Sequence, residues 1–161
     1  MSPLVIGYGN PLRGDDGAGW HAAGLLAADR RAADVTVLRR HQLTPELAED
    51  VSAADLVVFV DASVEGTAPG AVVATEIDPG GGAAWAAGQA WSHHLDPAGL
   101  VAMAEALYGH APPATVVRVG ACDLDAGTDL SPVVGRAMPD VLSAVVAVIE
   151  RHHCRQVGRR A

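Results

Sequence analysis

The chain has 161 residues, a formal charge of −8 and a half-hydrophobic composition that is only 4% aromatic. That length suits a single domain burying about two thirds of its unfolded surface, with a core built from Val, Leu, Ile and Ala. The acidic balance argues against a nucleic-acid partner, because phosphate neutralisation needs clustered cations. All 11 lysine-or-arginine positions are arginine, which we read as coding composition rather than function.

Cys122 and Cys154 are the only cysteines, too few for a disulfide framework and without C-x-x-C spacing. A reducing, cytoplasmic setting is the expectation. The first apolar run starts at Leu4 without a preceding basic region, so no signal peptide is expected. No apolar stretch reads as a membrane span. A monomer is expected at this size.

In chain order, "PLVIGY" (3–8) is a short apolar run closed by glycine, the pattern of a buried strand. Helical spacing follows from Gly17 to Arg31, with arginines at the end where they suit the helix dipole. "DVTVLRRHQ" (34–42) alternates and is β-branched, a second strand. "TPELAEDVSAA" (44–54) predicts a helix with Thr44 as N-cap and Pro45 at the first position. "DLVVFVDAS" (55–63) is the strongest strand and ends in Asp61, and "GAVVATEI" (70–77) is a fourth.

A glycine-rich stretch, 78–94, reads as a long loop. The helix over 96–109 then has Asp96 as N-cap, Pro97 at the first position and Gly109 past its end. "ATVVRVGA" (114–121) is a fifth strand. The segment 130–153 is a closing helix, expected to break or kink at Pro139. The ordered core is expected over 3–153 of one domain spanning 1–161, with a frayed tail from 154. Strands alternating with helices predict an α/β fold, a three-layer sandwich whose five-stranded twisted sheet is mainly parallel, with helices on both faces.

In open α/β sheets, ligands collect outside the carboxyl ends of strands where strand order reverses. If the second strand lies outside the first, the first and third are neighbours at that point. Asp15 and Asp16 then share a crevice with Asp61. An apolar strand has little reason to end in aspartate unless its carboxylate finds a partner, either a ligand or a turn capped through Ser63. Two carboxylates beside a glycine-rich turn repel phosphate and suit a cation. His93 and His94 stand just before a helix and supply an imidazole. Oxygen and nitrogen donors from three segments suit a divalent transition metal such as Ni²⁺ or Zn²⁺, and three protein ligands leave positions open for water or substrate.

Other features carry less. Gly7, Gly9 and Gly14 do not fit G-x-G-x-x-G, so a dinucleotide reading fails on spacing as well as charge. Cys122 reads as a small core thiol. His152, His153 and Cys154 read as a polar helix end.

The stretch "GYGNPLRGDDGAG" (7–19) resembles the G-x-G-N-x-x-x-x-D-(D/E)-G-x-G signature of hydrogenase maturation proteases. "VVFVDAS" (57–63) resembles that family's second acidic strand, and "SHHLDP" (92–97) its histidine segment. The resemblance runs from about residue 4 to 150 in matching order. It implies an aspartic-type endopeptidase that removes a C-terminal extension from the nickel-iron hydrogenase large-subunit precursor once nickel is inserted, and thereby activates that enzyme. The family's metal-binding residues fall on Asp16, Asp61 and His93, with His94 beside the last. The nickel is carried by the precursor, so that unloaded precursor offers these ligands nothing to grip.

Gly7, Gly9, Asn10, Asp15 and Gly17 would form the substrate-facing loop. In it the glycines admit substrate backbone, Asn10 fixes the turn, and Asp15 caps the helix or orients Asp16. The family often has glutamate at the position of Asp16, and "HQLTPE" (41–46) replaces a glycine-threonine segment. A non-proteolytic nickel carrier or chaperone would use the same three ligands.

Overall fold

A computed structural model of the chain describes residues 1–78 and 95–160. Its elements are β1 (Pro3–Tyr8), α1 (Ala18–Leu26), β2 (Thr36–Arg40), α2 (Leu47–Ala53), β3 (Leu56–Ser63), β4 (Val72–Ile77), α3 (Pro97–Tyr108), β5 (Ala114–Gly120) and α4 (Pro132–Arg160). The sheet order is β2-β1-β3-β5-β4. The first four strands of that order are parallel, and β4 closes the edge antiparallel to β5.

The three layers follow from side-chain alternation. Val5, Val58, Val60, Val117 and Val119 point to one face and pack against α1 and α4. Leu4, Ile6, Val57, Phe59 and Val116 point to the other, under α2 and α3. Apolar residues on both sides of β1, β3 and β5 explain why these strands read as unbroken hydrophobic runs. With β2 outside β1, the chain crosses from β1 outward and then back to β3, so the carboxyl ends of β1 and β3 flank the switch point.

Local chemistry sets most element ends. Asp96 accepts a 2.7 Å hydrogen bond from the Gly99 amide and starts α3, while Gly109 ends it at φ 71°. α1 is shorter than its sequence period predicts, because Asp29 caps a separate 3-10 turn at Arg30–Ala32. Thr44 does not cap α2. A turn comes first, closed by the Leu47 and Ala48 amides on the Thr44 and Pro45 carbonyls, and the helix starts at Leu47.

Pro139 lies inside α4 without ending it. Val134 and Val141, on either side, are both fully buried against the sheet, and that packing outweighs the one backbone bond a proline removes. The helix continues to Arg160, so the described part of the tail predicted to fray is helical. Contrary to the sequence reading, α4 is long and apolar enough to span a membrane on length and composition, with a mean hydropathy of 1.6 over its best window. Its apolar side is spent on the sheet instead, through Val145, Val146, Val148 and Ile149.

Candidate functional site

β1 ends at Tyr8, and Gly9 turns the chain at φ 137°, a conformation that side chains with a Cβ rarely adopt. Asn10 closes the following turn: its carbonyl accepts from the Arg13 amide at 3.1 Å, and its side-chain oxygen from the Leu12 amide at 3.0 Å. The loop then folds back on itself. A Cβ on Gly7 would strike the Gly19 carbonyl and Ala23, one on Gly19 the carbonyls of Val60 and Tyr8, and one on Gly17 the Pro11 backbone. The close approach these glycines permit is therefore to the chain's own backbone, where the sequence suggested substrate. It lets α1 lie directly on β1 and β3.

The two adjacent aspartates face different surroundings. Asp15 is fully buried. Its carboxylate accepts from the amides of Cys122 and Asp123 at 2.8 Å each, and from the amide and hydroxyl of Ser131 at 2.7 and 2.8 Å. Burial pushes its pKa up, and these four donors outweigh that and hold it below the usual carboxylate value. Asp15 thus ties the β1 loop to the segment between β5 and α4. It neither caps α1 nor lies open to substrate. Cys122, read from sequence as a core thiol, is exposed, because its backbone rather than its side chain serves the anchor.

Asp16, one residue on, is half-buried and accepts the Asn10 amide at 3.0 Å. Asp61 ends the apolar part of β3 and is also half-buried. Its Oδ2 accepts from the Tyr8 hydroxyl at 2.8 Å. No turn is capped by Asp61 through Ser63, whose hydroxyl instead donates to the Glu65 carbonyl. Burial raises the Asp61 pKa and is the dominant influence. The Tyr8 hydroxyl, the Arg118 charge and the Ala62 amide lower it, and the negative charge of Asp16 raises it further. The Asp16 charge thus reaches Asp61 across the switch point. The Tyr8 phenol is pushed up, first by burial and then by Asp61.

His93 and His94 lie outside the described residues. The helix that follows them in the chain, α3, begins at this end of the sheet, close enough for the charge of its cap Asp96 to raise the Tyr8 pKa. Among the described residues, no group of three or more His, Cys, Asp or Glu side chains could hold a metal. What the described residues contribute is a pair of carboxylates, a donor set for a hard or borderline divalent cation that still needs further ligands. His152 stands apart from this site, 3.7 Å from Asp55.

Tyr8 and Arg118 were missed in the sequence. Both fall on the face that carries Asp61: Tyr8 alternates with Gly7, and Arg118 sits between Val117 and Val119, which point to the opposite face. Counting that alternation back from Asp61 would have singled them out, had the register between strands been known.

No family profile matches the chain, and no curated protein matches it. Its structure, however, is similar to several solved ones. The hydrogenase maturating endopeptidase HybD from Escherichia coli superposes with a TM-score of 0.73 and 25% identity, over 94% of this chain and 93% of that one. A second Escherichia coli structure, of an endopeptidase in solution, gives 0.75 at 25% identity, over 94% and 93%. The [NiFe] hydrogenase maturation protease HybD from Thermococcus kodakarensis shares the fold, with a TM-score of 0.69 and 22% identity over 92% of this chain and 99% of that one.

A three-layer α/β sandwich with an acidic glycine-rich loop after β1 and an aspartate near the end of β3 has the architecture of a class of α/β endopeptidases. In the signature at residues 7–19 and in fold, the chain is similar to the hydrogenase maturation endopeptidases. It is a peptidase.

Proposed function

We propose that this protein is the endopeptidase that removes the C-terminal extension of a nickel-iron hydrogenase large-subunit precursor, and that it reads the inserted nickel through Asp16, Asp61 and His93. What supports the reading is that Asp16, in the loop after β1, and Asp61, near the end of β3, both lie at the carboxyl ends of neighbouring strands, and the Asp16 charge contributes to the raised Asp61 pKa. Like charges repel, and a divalent cation bound by both carboxylates would relieve that cost. An imidazole from the segment before α3 would complete a three-ligand set with open positions for the precursor's own ligands.

The nickel belongs to the substrate in this scheme. Precursor without it presents no cation to the two acids, and binding energy is withheld from unloaded substrate. Hydrolysis adds water across the scissile C–N bond, with the carbonyl polarised and the water deprotonated at the site. The substrate's nickel can polarise the carbonyl, and a carboxylate within reach of the water can take its proton.

The test is to incubate the protein with nickel-loaded and nickel-free large-subunit precursor and to follow the precursor's mass. Cleavage of the loaded form alone is the expected result. Tight binding of loaded precursor without any cleavage would replace the peptidase reading for this substrate with that of a nickel-binding carrier.

A further inference from the structure

One lateral row of side chains crosses four strands at their carboxyl ends, on the α2/α3 face: Arg40, Tyr8, Asp61 and Arg118. The register pairs Tyr8 with Arg40 and Asp61 with Arg118, and the pairing of Gly7 with Val60 sets Tyr8 beside Asp61. All four are half-buried. Within the row the described residues show a single side-chain hydrogen bond, from the Tyr8 hydroxyl to Asp61 Oδ2 at 2.8 Å. No ion pair within 4.0 Å joins Arg118 to Asp61, and the Arg40 guanidinium turns to the Arg39 carbonyl at 2.8 Å.

We infer that Tyr8 is a positioning residue for metal recognition at Asp61: its hydroxyl holds Oδ2 and so fixes the orientation of the carboxylate that meets the cation. This rests on the reading of Asp61 as a ligand. The Tyr8 ring packs on the buried α2/α3 core, so the hydroxyl is delivered from a fixed base. A carboxylate held in this way loses little rotational freedom when it binds a metal. Partners that orient ligands in this manner are typically worth 10- to 100-fold in metal affinity. The aromatic ring alone would fill the same core volume, so the hydroxyl is the part that the packing does not explain.

The test is calorimetric titration of Ni²⁺, supplied as the chloride, into the full-length wild type, Tyr8→Phe and Asp61→Asn, with melting temperatures recorded for each. The expected result is nickel affinity about tenfold weaker in Tyr8→Phe, with the fold retained and binding lost in Asp61→Asn. Wild-type affinity in Tyr8→Phe alongside loss in Asp61→Asn would overturn the positioning role and leave the ligand reading standing. Undiminished binding in Asp61→Asn, or no binding by the wild type at millimolar nickel, would overturn the ligand reading itself. Should Tyr8→Phe fail to fold, Tyr8→Leu, which also lacks the hydroxyl, is read by the same outcomes.

Discussion

Asp15 and Ser131 stand 116 residues apart in the chain and are joined by two hydrogen bonds, from the Ser131 amide and hydroxyl to the Asp15 carboxylate. With the amides of Cys122 and Asp123 on the same carboxylate, this is where the β1 loop is fastened to the segment leading into α4. Replacing Asp15 by alanine strands three backbone donors and a hydroxyl in a site without solvent access. We expect a loss of about 3 kcal/mol in urea unfolding. A loss below about 1 kcal/mol would mean that water or a neighbouring carbonyl replaces the carboxylate.

The same residue sets a pH dependence. The folded pKa of Asp15 lies below its ordinary value of 3.8, so in acid the unfolded chain binds the proton first. Its stabilising contribution is complete above about pH 4 and is lost as pH falls through the lower, folded value. Asp61 acts with the opposite sign: its folded pKa is raised, so ionising it above the ordinary range costs stability. Unfolding free energies from pH 2.5 to 6 should therefore fall in acid more steeply for the wild type than for Asp15→Asn. Parallel curves would refute the assignment.

Gly19 is the second close contact on which the site depends. A Cβ there would meet the Val60 and Tyr8 carbonyls, so Gly19→Ala must push α1 off the strands that carry Tyr8 and Asp61. Overpacking of this kind typically costs 1–3 kcal/mol. We expect about 2 kcal/mol in denaturant unfolding and reduced precursor processing at a temperature where the variant is still folded. Full stability would show that the helix can shift without cost.

The site itself is tested by Asp16→Asn, Asp61→Asn, His93→Ala and His94→Ala in a precursor-processing assay, with circular dichroism as the control for folding. The first three should abolish cleavage in a folded protein, and His94→Ala should retain it. Activity lost in His94→Ala and kept in His93→Ala would exchange the roles of the two histidines.

The alternation of apolar strands with helical periods was enough to read the α/β sandwich, since both depend on side-chain spacing along the chain. Asp16 and Asp61 were legible because a carboxylate in a glycine-rich turn and another ending an apolar strand are locally costly placements. The start of α2, the end of α1 and the continuity of α4 through Pro139 were not, because each was decided by competing turns or by packing from elsewhere. Asp15 shows the difference most plainly. Next to Asp16 in sequence it looked like part of the same cluster, and only its bonds to Cys122, Asp123 and Ser131 separate the two.

By itself, then, the sequence determined the strand and helix order, the acidic loop and the resemblance to a protease signature, all of which are properties of neighbouring residues. Tertiary structure alone decided that β2 lies outside β1, that Arg40, Tyr8, Asp61 and Arg118 share one row, and that the loop glycines serve internal packing. Those facts depend on register between strands far apart in the chain, and register is set by how whole faces bury against each other.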